Sequence, residues 1–393
     1  MPAYSISTRI NSNVPASSLL YDLCVYRIDG NKNKHLLVDV KQQPVKENYE
    51  TQGHMTGNIS DPLSTIFIMQ VTLYRKTMLH IHTVFDMPFS RMYTLQELSA
   101  GRAWSPVKRE NACYFESSAM TKPVSDGPNI TVVKISQPAR PFIAKDYPED
   151  SPQDPFAWSA IKQQINDRFN YVNLPYQGET SICGPAAFFY CLLKDRPDVY
   201  AQAVWELWRY GKTKIGELEI APGEDCRHPS GAFFNEQGRP KIFGIDWMTL
   251  AGLRDSENAV LDFDSIDSPL AGVTMWQLLT EWFEKAGYEK VFSNVGITQA
   301  GVQGIQELNE YAKKGYKVVT LVSDTLLKGS IGVHSTVPTH WIVWDGPVTQ
   351  DGQGSVHLLL FSWGYVTDGI KSNVDFSFLI NRFFGGVVFK PQH

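Results

Sequence analysis

Gln177-Gly-Glu-Thr-Ser-Ile-Cys183 is followed by Gly184-Pro-Ala186 and then by an uninterrupted apolar run. The run contains no helix breaker and is apolar on nearly every face, so it predicts a buried helix that begins at Cys183. Glycine and proline fit a first helical turn, where a missing N–H costs nothing. The unpaired N–H groups and positive dipole end at that position favour a thiolate, the reactive form of cysteine. The stretch therefore predicts a nucleophilic Cys183 at a helix N-terminus.

Gln177 lies six residues before Cys183, in the loop that precedes the predicted helix. From there its side-chain amide can point to the space beside the sulfur, where it and the Cys183 backbone N–H would form an oxyanion hole. The spacing Gln-x5-Cys before a long apolar helix resembles the papain-like cysteine peptidases. The order Cys-Gly-Pro-Ala is more similar to their bacterial branch, which includes bacteriocin-processing peptidases and secreted peptidase toxins. The resemblance implies that Gln177 is the oxyanion glutamine, that Cys183 is the nucleophile, and that a histidine follows far downstream on a strand.

A histidine in that order is His340, which opens the predicted strand Thr339-His-Trp-Ile-Val-Trp-Asp345. Before it the sequence predicts a helix over 303–314 and a strand over 315–322. This succession is similar to the same family and implies that His340 is the general base. His357 on the next predicted strand and His334 in the preceding loop are the alternatives.

The third catalytic position departs from the family pattern. Ser362-Trp-Gly364 resembles the tripeptide that follows the third catalytic residue, but the position before it, an asparagine or aspartate in the family, is Phe361. Ser362 and Asp345 are the candidates to orient the imidazole, and a carboxylate would better stabilise an imidazolium. Asp345 is five residues from His340 on one strand, so the two point to opposite faces unless the strand ends or bulges.

Composition limits the function classes. The chain has 393 residues, 43% hydrophobic and 20% charged, which is enough for two globular cores. Its formal charge of −5 argues against nucleic acid or an anionic membrane as the main partner. No apolar run approaches the roughly 18 residues of a membrane helix, and the N-terminus lacks the order of a signal peptide. We therefore expect synthesis in the cytoplasm, no membrane insertion, and export by a dedicated secretion system.

Metal and cofactor signals are weak. Five cysteines without Cys-x-x-Cys spacing predict neither a disulfide framework nor a zinc site, and no cofactor is expected. His80 and His82 share a face of a predicted strand, but no third ligand stands out nearby, so a solvated strand face is the favoured explanation over a metal pair. Cys226 and His228 are a rival Cys-His pair that lacks both a following helix and an upstream oxyanion donor.

The chain divides into two predicted domains, giving an α+β fold. Residues 1–145 show short β-branched and aromatic segments, which predict an antiparallel β domain, sandwich-like or barrel-like, for targeting, chaperone docking or covering the cleft. Residues 146–155 are proline-rich and predict a linker. The resemblance covers 156–393, with a helical insertion at about 211–298. It implies a helical lobe with Cys183 packed on an antiparallel β lobe with His340.

The predicted function is a thiol hydrolase that cleaves peptide bonds through a Cys-His thioester mechanism. The resemblance further implies a secreted bacterial toxin or effector, a protein or peptide substrate, and an immunity protein or secretion chaperone as a partner. Two other readings stay open. One is a cysteine-dependent cell-wall amidase or glutamine deamidase. The other is a catalytically silent binding module on a peptidase fold, with which the Phe361 departure is compatible.

Overall fold

The structure is a computed structural model. It describes residues 3–10, 12, 14–84, 87–99, 123–126, 129–132, 140–178, 180–257, 274–328, 337–368, 370 and 376–392. The chain forms two compact units, Met1–Ala139 and Arg140–His393. Helices and antiparallel sheets are both present, which confirms the α+β prediction. None of the helices in these ranges is long and apolar enough to cross a bilayer.

The first unit is built mainly of antiparallel strands. Its elements are β1 (Ser5–Ile6), β2 (Leu19–Ile28), β3 (Lys34–Pro44), β4 (His54–Met55), β5 (Ile66–Lys76), β6 (Ile81–Thr83), β7 (Phe89–Thr94), α1 (Leu95–Ser99), β8 (Pro123–Asp126) and β9 (Asn129–Val132). In the five-stranded sheet, β2 lies between β3 and β5, while β6 and β7 both pair with β5. A sandwich or barrel stays a prediction for this unit.

The core of the first unit lies on one face of this sheet. Leu19, Tyr21, Leu23 and Val25 are fully buried, and the residues between them are partly exposed. Alternate residues of a strand point to opposite faces, so β2 contributes every second side chain to the core. The alternation visible in the sequence thus sets which face of the sheet is covered.

The second unit carries the helices and a larger sheet. Its elements before the sheet's central strands are α2 (Trp158–Phe169), α3 (Cys183–Asp195), α4 (Pro197–Tyr210), β10 (Thr213–Ile215), β11 (Leu218–Ile220), α5 (Glu224–Arg227), α6 (Gly244–Asp246), α7 (Gly252–Ser256), α8 (Trp276–Lys285), β12 (Lys290–Ser293) and α9 (Gly301–Lys313). A π-helical turn at Trp247–Ala251 joins α6 to α7 in one continuous helix. The region 211–298, expected to be a helical insertion, therefore also contributes the hairpin β10–β11 and the edge strand β12.

The remaining elements include five strands of a six-stranded antiparallel sheet whose sixth strand is β12, together with a separate short hairpin. They are β13 (Lys317–Val322), α10 (Thr325–Lys328), β14 (His340–Trp344), β15 (Thr349–Gln350), β16 (Val356–His357), β17 (Leu359–Ser362), β18 (Tyr365–Asp368), α11 (Phe376–Ile380) and β19 (Phe383–Phe389). The strand order is β12-β19-β13-β14-β17-β18. The predicted strand with His340 at its start is confirmed as β14.

Helices cover both faces of this sheet. Tyr190 of α3 stacks on Phe361 of β17 with ring centroids 4.0 Å apart. The neighbouring Leu360 points the other way, into a core that it shares with Ile305 and Leu308 of α9. The buried helix α3 therefore crosses the face of β14 and β17, which brings its N-terminal region to the part of the sheet that carries His340.

The proline-rich segment 146–155 is not a free linker. Phe142 and Phe156 are fully buried and their rings lie 5.4 Å apart. Arg140 and Asp154 form an ion pair at 2.6 Å across this segment. The segment belongs to the second unit, which begins at Arg140 rather than at residue 156. The linker prediction failed because turn-forming prolines do not reveal that the flanking phenylalanines are anchored in a core.

A candidate Cys-His active site

Cys183 is the first residue of α3, as the sequence predicts. Its side chain is only 3% exposed. Gly184 is required beside it, because a Cβ at that position would lie 2.5 Å from the Thr274 hydroxyl oxygen. Pro185 occupies the first helical turn, where it interrupts no hydrogen bond. The local sequence thus starts the helix at the cysteine and lets Thr274 close over its first turn.

The sulfur of Cys183 meets the start of β14. The backbone N–H groups of Trp341, Gly184 and Cys183 itself act on the sulfur and lower its pKa. Trp341 directly follows His340, so the peptide that carries the histidine is at the thiol. The side chain of Trp341 is anchored by its indole N–H, which donates to the Thr274 carbonyl at 2.8 Å. Two regions remote in sequence, 183–184 and 340–341, therefore converge around one thiol.

His340 is held by residues of β17 and the turn after it. Its Nε2 lies 2.7 Å from the Ser362 hydroxyl. The Trp363 ring stacks on the imidazole with centroids 4.6 Å apart and planes inclined by 20°. Trp363 has φ 46°, an uncommon left-handed conformation for a non-glycine residue that turns its ring over His340. With Nε2 engaged by Ser362, Nδ1 is the imidazole nitrogen left open, and no hydrogen bond joins it to the Cys183 sulfur among the described residues.

Burial dominates the electrostatics of the pair. It raises the pKa of Cys183 to about 11, against the opposing backbone N–H groups. It lowers the pKa of His340 to about 4, while Asp324 opposes this shift and Lys328 adds to it. Near neutral pH the resting pair is therefore a thiol and a neutral imidazole. The expectation of a thiolate lowered by the helix N-terminus is wrong for this site, because desolvation outweighs the N–H groups.

Gln177 lies in the loop before α3 and is 5% exposed. Its side-chain Nε2 donates to the Thr180 carbonyl at 2.8 Å. The Thr180 hydroxyl in turn donates to the Gln177 carbonyl at 2.5 Å. One amide N–H is thus used within the loop, which fixes the side chain. The second N–H has no partner among the described residues, so Gln177 retains a donor for an oxyanion.

A buried ion pair holds the loop that carries Gln177. Arg168 of α2 donates from Nη2 to both carboxylate oxygens of Asp246, at 2.8 and 2.6 Å, and both side chains are fully buried. Asp246 also accepts the backbone N–H of Tyr176, the residue before Gln177. Gly178, with φ 61°, faces the Lys241 carbonyl, which a Cβ would approach to 2.5 Å. These contacts tie the Gln177 loop to the helix 244–256.

Asp345, the other candidate to orient the imidazole, is engaged elsewhere. Its Oδ1 accepts the Tyr190 hydroxyl at 2.7 Å and lies 3.6 Å from the Lys194 ammonium. Asp345 therefore ties the end of β14 to α3. Phe361, at the position where the family has an amide or carboxylate, serves the same packing by stacking on Tyr190. Of the two candidates, Ser362 therefore contacts His340, whereas Asp345 joins the end of β14 to α3.

The remaining candidates lie apart from this site or outside the described residues. His357 is partly exposed and paired with Asp368 at 2.7 Å and Asp351 at 3.5 Å. Cys226 is fully buried in α5 and burial raises its pKa, while His228 lies 3.8 Å from Glu224. His334 falls in a part of the chain that is not described. No cluster of metal-ligating side chains occurs within the described ranges.

Two residues that act on His340 or Cys183 were not predicted from the sequence. Trp363 was noted only as part of a tripeptide, and the sequence gives no sign that its ring covers an imidazole. Arg254 of α7 has its charge close enough to Cys183 to lower the pKa of the thiol. A lone arginine in a predicted helix carries no sequence signal for such a place. Both are positioned by tertiary packing.

Comparison with known proteins leaves the family open. No protein-family model, no curated protein and no solved structure matches this chain. Export, an immunity protein and a secretion chaperone therefore stay predictions. The case for a function rests on the geometry around Cys183 and His340.

Proposed function

We propose that this chain is a cysteine-dependent hydrolase of peptide bonds, with Cys183 as nucleophile and His340 as general base. The observation that supports it most is the convergence of a helix N-terminal thiol with the peptide of His340, whose ring is fixed by Ser362. Acyl transfer requires a base and an orienting group beside the nucleophile; here the backbone next to the base reaches the sulfur, while no hydrogen bond joins the imidazole to the sulfur among the described residues.

The reaction would start from the neutral pair. His340 Nδ1 takes the proton from Cys183 Sγ as the sulfur bonds to the amide carbon, because a thiolate is not stable beforehand in the buried site. The Cys183 backbone N–H and the free amide N–H of Gln177 stabilise the oxyanion. The C–N bond then breaks, and His340 returns the proton to the leaving amine. Water, deprotonated by His340, hydrolyses the thioester and restores the thiol.

Ser362 and Trp363 would keep the imidazole effective through this cycle. In this cycle the Ser362 hydroxyl, 2.7 Å from Nε2, would accept a hydrogen bond from Nε2–H and so select the tautomer with a free Nδ1. Trp363 covers one face of the ring and limits the access of water to that hydrogen bond. A neutral hydroxyl stabilises an imidazolium less than a carboxylate does, so proton transfer is coupled to bond formation rather than completed in advance.

The proposal is tested with the purified full-length chain and casein. We expect new peptide termini by mass spectrometry, none of them with Cys183→Ala, and about a hundredfold slower cleavage with Gln177→Ala. Cys191→Ala is the matched control, since Cys191 is buried on the same helix about two turns after Cys183. Release of ammonia from glutamine side chains, or clearing of cell-wall material without casein cleavage, would replace the peptidase by the deamidase or amidase.

The burial of Cys183 and His340 favours a second candidate function, a binding module without catalytic activity. Cys183 and His340 are 3% and 4% exposed, and the pair is neutral near pH 7. A binding module on a peptidase-like scaffold would have no need of an exposed, ionised thiol. It would turn over no amide substrate, and Cys183→Ala would leave its binding unchanged.

A further inference from the structure

The hairpin between β5 and β6 ends in an exposed apolar tip. Met78 and Leu79 occupy the two central positions of its turn and are 101% and 85% exposed, and Ile81 at the start of β6 is 44% exposed. Single exposed apolar side chains are normal on a protein surface, whereas adjacent ones form a patch, and such patches mark interaction sites. The hairpin tip is therefore a candidate contact surface of the first unit.

The turn itself does not require Met78 and Leu79. Tight turns favour glycine, asparagine, aspartate, proline or serine, which suit the bend of the backbone. Here Thr77 closes the turn, because its N–H donates to the His80 carbonyl at 2.8 Å and its hydroxyl accepts the His80 N–H at 3.0 Å. Met78 and Leu79 lie between these two residues and stay hydrated. Their apolar character therefore serves neither the turn nor the core.

The hairpin projects from the end of the sheet. Leu19 is the first residue of β2 and pairs with Arg75 of β5, and the pairing with β7 ends at Val71. Beyond Arg75, β5 pairs only with β6, through Lys76 and Ile81. Because β5 is held between β2 and β7 before this point, the tip is carried by a strand that is fixed in the sheet.

The base of the tip is cationic. Arg75 and Lys76 are adjacent at the end of β5, and the sequence contains no acidic residue between Asp61 and Asp86. Lys76 is exposed and makes no ion pair with any residue that the structure describes. The formal charge of −5 belongs to the whole chain, whereas this projection has the opposite sign. An anionic partner therefore fits this end of the first unit.

We propose that the tip of the β5–β6 hairpin docks the first unit onto an anionic lipid surface, with Met78 and Leu79 at the boundary between headgroups and acyl chains and Lys76 against lipid phosphates. Burial of apolar side chains and attraction to anionic headgroups act together in such binding. A protein pocket is disfavoured, because two side chains at a turn offer a small part of the roughly 800 Å² that each partner buries in a stable interface. The inference does not depend on the proposed hydrolase.

The test is co-sedimentation of the full-length chain with vesicles of phosphatidylcholine alone and of equal parts phosphatidylcholine and phosphatidylserine. We expect binding to the mixed vesicles that weakens as salt is added. Met78→Ser/Leu79→Ser should lower this affinity at least about tenfold, since two apolar side chains leave the interface. Lys76→Gln should lower it about fivefold, the effect of one cation near an anionic surface, and should not change sedimentation with phosphatidylcholine alone.

Two matched variants remove the same kinds of side chain outside the hairpin. Leu36→Ser/Met55→Ser removes two apolar side chains that are 52% and 65% exposed on β3 and β4. Lys46→Gln removes one exposed positive charge from the same unit. Both should bind the mixed vesicles like the wild type. All of these positions are exposed, so the melting temperatures should stay close to that of the wild type.

Absence of binding to both kinds of vesicle overturns the inference, and so does binding that Met78→Ser/Leu79→Ser leaves unchanged. Equal losses in this variant and in Leu36→Ser/Met55→Ser also overturn it, because the effect would then come from surface hydrophobicity in general. Self-association that Met78→Ser/Leu79→Ser abolishes, without vesicle binding, would assign the tip to a contact between copies of the chain instead. Vesicle binding involves no hydrolysis, so its outcome is distinct from that of the casein experiment.

Discussion

At the scale of single residues, the imidazole of His340 depends on a hydroxyl where a carboxylate or an amide was expected. Ser362 lies 2.7 Å from Nε2, and Asp345 is held by Tyr190 and Lys194. If His340 is the base, Ser362→Ala should slow turnover about tenfold, since one hydrogen bond that fixes the tautomer is lost. Asp345→Asn should change turnover by less than about twofold, because an asparagine oxygen still accepts the Tyr190 hydroxyl.

The measurement is the hydrolysis rate of one peptide by both variants across the pH range, with melting temperatures to exclude unfolding. A larger loss in Asp345→Asn than in Ser362→Ala would show that the carboxylate acts on the imidazole. Equal rates in both variants and the wild type would leave a Cys-His dyad without a third member.

The buried imidazole also makes a prediction about stability. Burial lowers the pKa of His340 from its usual 6.5 to about 4. Between these pH values the unfolded chain binds a proton that the folded chain excludes, so stability is complete above pH 6.5 and falls as the pH drops toward 4. The loss from this one group is at most about 3 kcal/mol.

His340→Gln isolates this contribution, because all other titrating groups cancel in the comparison with the wild type. Urea unfolding at several pH values between 7 and 4 should show the wild-type advantage shrinking as the pH falls. A difference that stays constant with pH would mean that His340 is hydrated in the folded protein.

For these residues, the sequence predicted the features that depend only on neighbouring positions in the chain. The start of α3 at Cys183 and of β14 at His340 follow from breaker-free apolar runs and from turn residues, and both are confirmed. The raised pKa of Cys183 was missed because it depends on the groups that enclose the sulfur. A hydropathy pattern predicts that a helix is buried, but it does not show whether its first residue is desolvated as well.

At the scale of elements, the loop with Gln177 depends on the ion pair that joins α2 to the helix 244–256. Arg168 and Asp246 are both fully buried, so Arg168→Met leaves a carboxylate without its counter-ion. We expect a loss of about 3–5 kcal/mol in the free energy of unfolding. Lys313→Met is the matched control: it breaks the exposed pair with Glu310 on α9 and should leave the free energy of unfolding almost unchanged.

Denaturant unfolding of both variants measures these losses. The double variant Arg168→Met/Asp246→Leu should recover much of the stability, because it replaces the unpaired carboxylate by an apolar side chain. Similar small losses in Arg168→Met and Lys313→Met would contradict the burial of the pair. The sequence could not predict this pair, since Arg168 and Asp246 are 78 residues apart and each reads as an ordinary surface charge.

At the scale of the whole molecule, the boundary between the two units was predicted too late in the chain. Proline-rich segments are typical of linkers, which is why the sequence predicts a linker at 146–155. In the structure, the Ile143 and Lys145 N–H groups donate to the Arg227 and Pro229 carbonyls at 3.0 and 2.9 Å. The segment from Arg140 onward is therefore structural for the unit that carries Cys183 and His340.

Two truncated chains test whether the second unit begins at residue 140 or at residue 156. A chain of residues 140–393 should unfold cooperatively, since it keeps every one of these contacts. A chain of residues 156–393 loses Phe142, whose fully buried side chain alone is worth about 3–5 kcal/mol, together with the two backbone hydrogen bonds and the Arg140–Asp154 pair. Against a total stability of about 5–15 kcal/mol, these losses should leave 156–393 largely unfolded in circular dichroism melts. Phe142→Ala within 140–393 should fall between the two, and equal stability of both truncations would show that the segment 140–155 is a linker after all.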